Sequence, residues 1–140
     1  MTLSKSETIL ARIKTILDAT AGVSGRVFRD RWEALARNEM PALVIEPQSE
    51  SDGVLTTRET LTTSLNVSID VLISGAPLST LADPIRVDLH SRLLADATLQ
   101  GLVISIYPTG RAWDAVSGEI GVLRSSYAVR YRTTLADITA

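Results

Sequence analysis

His90 is the only histidine in the chain, and Asp88 and Ser91 stand beside it, the residue types of a base-assisted nucleophile. Their spacing argues against that chemistry. Positions 88, 90 and 91 fall on one expected helix, where residues one and two apart do not face each other, so the three cannot converge on a substrate. His90 is therefore read as a solvated helix residue, and no catalytic constellation is expected.

Glu46, Glu50 and Asp52 supply hard oxygen ligands of the kind that hold a divalent cation. They lack the spacing of a calcium loop, so they are read as a solvated acidic loop. No metal or cofactor is expected, the alternative being a cation shared between subunits. The arginines form two groups, Arg26, Arg29 and Arg31, then Arg124, Arg130 and Arg132. Three readings stay open for Arg130 and Arg132: a wet sheet face guarded against aggregation, pairing with carboxylates of a neighbouring subunit, or contact with DNA phosphates. Gly22/Gly25 and Gly118/Gly121 lack the lysine and strand–helix setting of a phosphate-binding loop and are read as turns.

Two strictly alternating stretches must carry these groups. In residues 61–73 the odd positions are Leu61, Thr63, Leu65, Val67, Ile69, Val71 and Ile73, while Leu72 is the one apolar even position. In residues 123–133 Leu123, Tyr127, Val129 and Tyr131 alternate with Arg124, Ser126, Ala128, Arg130 and Arg132. A period of two means a strand with one buried and one wet face. The first run extends for roughly 40 Å, well beyond a usual strand, and is expected to overhang its own sheet onto another copy of the subunit.

The remaining elements follow from spacing. Ser4 and Glu7 form a capping-box pair before Ile9, Leu10, Ile13, Ile16 and Leu17, an amphipathic helix ending near Gly22. A short strand over residues 25–29, a helical turn over 32–37 and a strand over 42–45, closed by Pro47, come next. Residues 48–53 read as a loop, the tip of a hairpin joining the Leu43 and Leu65 strands. Asp83 and Pro84 read as the cap and first turn of a second helix, striped by Ile85, Leu89 and Leu93 and running to about Ala97. A strand over 102–107 is expected to stop at Pro108, followed by a variable segment containing Trp113 and Gly118. The pattern predicts α+β architecture in a single domain over residues 1–140: two helices on one face of a mainly antiparallel sheet, with a long protruding hairpin.

Composition sets outer bounds. The chain has 140 residues, 45% hydrophobic and 21% charged, which suits one globular domain with a sizeable core. No apolar run approaches the roughly 20 residues of a membrane span, and the N-terminus lacks a signal-peptide core. With no cysteine, disulfides and thiolate chemistry are unavailable, which fits a reducing cytoplasm. A net charge of −2 argues against general attraction to nucleic acid, and two Trp, three Tyr and one Phe leave little for base stacking.

Val27, Phe28, Arg29, Asp30 and Arg31, followed by residues 39–45 from Glu39 through Met40 and Pro41 to Ile45, resemble the first half of small tail proteins of long-tailed bacteriophages. Residues 95–103 resemble the helix-to-strand junction of that family, and residues 127–133 with Asp137 resemble its closing strand. The chain is most similar in these segments to the tail terminators, the minor tail protein U type. The resemblance implies a structural protein without catalytic residues. It implies a homohexameric ring that caps the tail tube, ends its polymerisation and presents the head–tail joining surface. The implied partners are other copies of the chain, the tail tube protein and a connector or neck protein, with DNA passing only as cargo and no membrane. The implied location is the virion tail, assembled in the bacterial host cytoplasm. On this reading the hairpin over residues 46–60 lies at the subunit boundary, with Arg58 and Glu59 as pairing residues and Arg130 and Arg132 on a wet inter-subunit or lumenal face. A neck or head–tail adaptor, a tail-like particle, and a small-ligand-binding α+β domain are the alternatives.

Overall fold

A helix begins where Ser4 caps it, its hydroxyl accepting the amide of Glu7 at 3.2 Å in the computed structural model, which describes residues 2–30, 39–55, 59–75, 77–115 and 120–139. This helix, α1 (Lys5–Leu17), buries Ile9, Leu10, Ile13, Ile16 and Leu17, the stripe that the three- and four-residue spacing predicts. The reciprocal half of the capping box does not form. Glu7 instead accepts both terminal nitrogens of Arg29 at 2.8 and 2.9 Å, because a bidentate charged pair outweighs one backbone contact.

Five strands make one sheet: β1 (Val27–Arg29), β2 (Ala42–Leu55), β3 (Thr60–Ser74), β4 (Ser105–Ala115) and β5 (Ile120–Thr134), in the order β1-β2-β3-β5-β4. β1 pairs with β2 in parallel and every other pair is antiparallel. Among the described residues three helices lie against one face, α1, α2 (Leu78–Ala95) and α3 (Ala97–Leu102), giving the expected α+β class, with α3 a short helix that the pattern does not predict. The core beneath them takes Leu43 and Ile45 from β2, the odd-numbered Leu65 to Ile73 of β3, and Leu123, Tyr127, Val129 and Tyr131 of β5. Each such side chain contributes about 1.5–3 kcal/mol on leaving water.

Several expectations change in detail. Residues 48–53 are strand, not loop: β2 continues past Pro47 to Leu55 and pairs antiparallel with β3 as far as Leu55 opposite Leu61. Proline lacks an amide hydrogen, and the ladder absorbs this with a register shift between Pro47 and Ser49, where β2 has no neighbour on its other side. β4 does the same between Pro108 and Gly110, so Pro108 does not end that strand and Trp113 lies within it. The long strand β3 is paired along both edges, to β2 and to all fifteen positions of β5 from Thr134 to Ile120. What extends is therefore a three-stranded blade, with β5 accompanying the hairpin to its end.

α2 starts five residues before Asp83, and Pro84 sits inside it. Leu78, which packs onto the core over Gly121, and buried Ala82 extend the stripe of Ile85, Leu89 and Leu93 backwards, and their burial offsets the amide that Pro84 lacks. Residues 97–102 form α3, where the pattern assigns no element between the end of the second helix near Ala97 and the strand expected from Leu102, and that strand, β4, starts at Ser105. Asp96 caps that helix, accepting the Leu99 amide at 2.8 Å, and turns Leu99 into the core. The face away from the helices is not uniformly polar, since Met40, Ala42 and Val44 are buried there with Phe28, Leu72 and Ile120 around them. Leu72, the exception to the alternation, belongs to this patch. The helical turn expected over residues 32–37 lies outside the described residues.

Asp96 also accepts Arg12 bidentately at 2.7 and 2.9 Å, tying α3 to α1. The Arg12 hydrogen bond, joined by the Leu99 amide, holds the Asp96 carboxyl below its usual range, and Arg29 does the same for Glu7. Depressed carboxyl pKa values contribute stability that is present above the unfolded values of about 4 and is lost as pH falls through the folded ones. Urea unfolding should accordingly give constant stability from about pH 7 to about pH 5 and a decline at lower pH. D96N, which keeps a capping oxygen but no charge, is expected to be less stable near neutrality and to show a shallower acid slope.

Candidate functional site

The bulge after Pro47 decides which way the acidic side chains of β2 point. Before it, Val44 and Glu46 share the outer face, opposite Asp70 and Ser68. After it the parity reverses, so Glu50 and Asp52 pair with Leu65 and Thr63 and face the helix side. Glu50 accepts the Tyr131 hydroxyl at 2.6 Å and Asp52 accepts the Thr63 hydroxyl at 3.2 Å. The three carboxylates grouped in the sequence are thus split between two faces. Among the described residues no cluster of three metal-ligating side chains forms.

The outer face carries charge at both ends. Towards the end where β5 begins, Val44, Asp70, Arg124 and Ala112 lie side by side across four strands. Arg124 donates to both oxygens of buried Asp70 at 2.9 and 3.1 Å, and the hydrogen bond to Asp70, reinforced by the fields of Asp70, Glu46 and Asp114, pushes its pKa up. Glu46, Asp70 and Asp114 outnumber Arg124, so this end is acidic. Six and eight residues further along β5, about 20 and 26 Å away, Arg130 and Arg132 face the same side opposite Ser64 and Thr62. Both are exposed, and neither forms an ion pair among the described residues. The second arginine group therefore divides, with Arg124 internally paired and Arg130 and Arg132 turned outwards. In the first group Arg26 donates to the Pro41 carbonyl at 2.9 Å and Arg29 holds Glu7, so both tie the fold together. Arg31 lies outside the described residues, as does Arg58.

Glu59 sits at the start of β3, its carbonyl accepting the Leu135 amide at 2.6 Å. The segment after β5 thus returns to the hairpin end, where Lys5 donates from its ammonium to the Arg132 carbonyl and from its amide to that of Ile138. His90 is not simply solvated: its Nδ1 lies 2.9 Å from the Tyr127 hydroxyl, and its ring is half-buried. Burial pushes the Tyr127 phenol up, so it keeps its proton at neutral pH. Asp70, the buried acid that organises the outer face, looks in the sequence like one polar position among many. Its alternation phase, opposite Arg124 in an adjacent strand, is the only signal, and reading it needs the register.

No family profile and no curated protein sequence matches the chain. Among solved structures the fold is similar to a chain of the virion of a native gene transfer agent particle, with a TM-score of 0.61 at 12% identity, covering 86% of this chain and 92% of that one.

Removing the Tyr131 hydroxyl tests the inner-face pairing. Burial, followed by its bond to Glu50, raises the Tyr131 phenol well above its ordinary value, so it remains a donor at any working pH. Y131F should lose about 1 kcal/mol in chemical denaturation, the size of an ordinary hydrogen bond and less than a buried charged one, because water can reach the exposed Glu50.

Proposed function

We propose that this chain is a structural protein of a phage or phage-like particle, in which copies close into a ring, six in the resembled family, that caps the tail tube. The observation that carries this reading is the fold shared with a virion chain over nearly the full length of both. The sequence resemblance to tail terminators narrows it to the end of the tube. Physical layout supports association between copies: the outer face is acidic around Glu46, Asp70 and Asp114 and basic at Arg130 and Arg132. Two such ends on one face suit a head-to-tail contact, with the arginines of one copy against Glu46 and Asp114 of the next, and a head-to-tail contact closes when the rotation per copy divides a full turn.

In this reading the hairpin tip, with Arg58 and Glu59, lies across the neighbouring copy. One face of the ring meets the tube protein and the other a connector or neck protein, and DNA passes through the channel as cargo. Polymerisation ends because the outward ring face lacks the surface that a further tube ring needs. The same fold likeness also serves a neck adaptor, which would bind the connector in a pull-down without any tube.

Particles made without this protein should show over-long, headless tails by electron microscopy. Tails of normal length joined to heads would overturn the proposal. R130E/R132E should lower the ring fraction in mass measurements across a concentration series, and adding E46K/D114K should restore it.

A further inference from the structure

A cleft of about 350 Å³ lies on the helix side, between α2 and the paired strands β4 and β5. Its chemistry comes from three elements. From α2, Arg86 and His90 stand one turn apart and so project from one helix face. From β5 come Ser125 and Tyr127. From β4 comes Arg111, which the bulge between Pro108 and Gly110 brings into register with Ser125 and onto the helix side; in an unbroken ladder it would face outwards.

Three features mark this cleft as more than a surface dent. The Ser125 hydroxyl is buried and has no hydrogen-bond partner, a condition that native proteins rarely leave without a purpose. Neither Arg86 nor Arg111 is in an ion pair among the described residues, although both lie close enough to the Tyr127 hydroxyl for their fields to act on it. One acid, Asp83, stands at the rim, so the lining is net positive with His90 neutral and more so with His90 charged.

We propose that this cleft binds an oxyanion of the phosphate class. Two guanidinium forks offer paired donors that match its oxygens, the Ser125 hydroxyl gains the partner it lacks, and the His90–Tyr127 pair offers a further polar edge. Donors arriving from three elements suit a tetrahedral anion with acceptors on every side better than a planar carboxylate. The phosphate can belong to a free solute or to a DNA backbone, and the assignment is independent of whether the chain forms a ring.

The test is an amide-resolved NMR titration of the full chain at constant ionic strength, using potassium phosphate, sodium acetate and a short oligothymidylate in separate series. Phosphate should produce saturable shifts at Arg111, Ser125 and Tyr127. R86Q and R111Q should each weaken binding by about tenfold or more, S125A by several-fold, and R92Q, outside the cleft, not at all. Shifts at the same amides that saturate at lower oligothymidylate concentration would support the site and identify DNA as the source. Saturation by free phosphate without that gain would support the site and identify a solute. Non-saturating shifts, equal affinity for acetate, or unchanged affinity in folded R111Q would overturn it.

Discussion

Strand β3 cannot slip. It is hydrogen-bonded along both edges, and its odd-numbered side chains from Leu65 to Ile73 form the floor on which the helices rest. A shift of one residue would turn five buried apolar side chains to the opposite face and bring polar ones under α2. At about 1.5–3 kcal/mol for each side chain, that penalty exceeds any local preference of the flanking strands. The neighbours therefore adapt to β3. β2 and β4 each carry a proline that cannot donate to the ladder, and each takes a register shift beside it, at Pro47 and at Pro108.

Those two adjustments also distribute the chemistry. The first sends Glu50 and Asp52 to the helix side, leaving Glu46 on the outer face beside Asp70 and Arg124. The second turns Arg111 inwards, towards Ser125 and Arg86. Both the charge layout of the outer face and the positive cleft under α2 thus arise from one extra residue on each of two strands.

Asp70 and Arg124 contrast with Arg130 and Arg132. The buried carboxylate of Asp70 would be costly without its bidentate partner, so Arg124 is committed within the subunit and helps hold β3 and β5 in register. Arg130 and Arg132 have no such ion pair among the described residues. A surface with surplus carboxylates at one end and unpaired guanidiniums at the other gives any contact it makes orientation and specificity more than raw affinity.

Much of the fold is legible in the residues alone. Alternation identifies β3 and β5 and their buried faces, three- and four-residue spacing identifies α1 and its capping Ser4, and the stripe from Ile85 to Leu93 identifies the body of α2. These signals are strong because burial imposes the period of each element directly on the chain. The start of α2, the helix over residues 97–102 and the continuation of β2 and β4 through proline are not legible in this way. There a local stop signal is overridden by tertiary burial, or by pairing to a neighbour far along the chain. The candidate sites divide on the same line. The sequence by itself determined that Arg130 and Arg132 share a wet strand face. Only the tertiary structure decided that Glu46 parts from Glu50 and Asp52, that Asp70 claims Arg124, and that Arg86, Arg111 and Ser125 meet. The reason is that strand register and bulge position are properties of pairs of strands, and no single segment carries them.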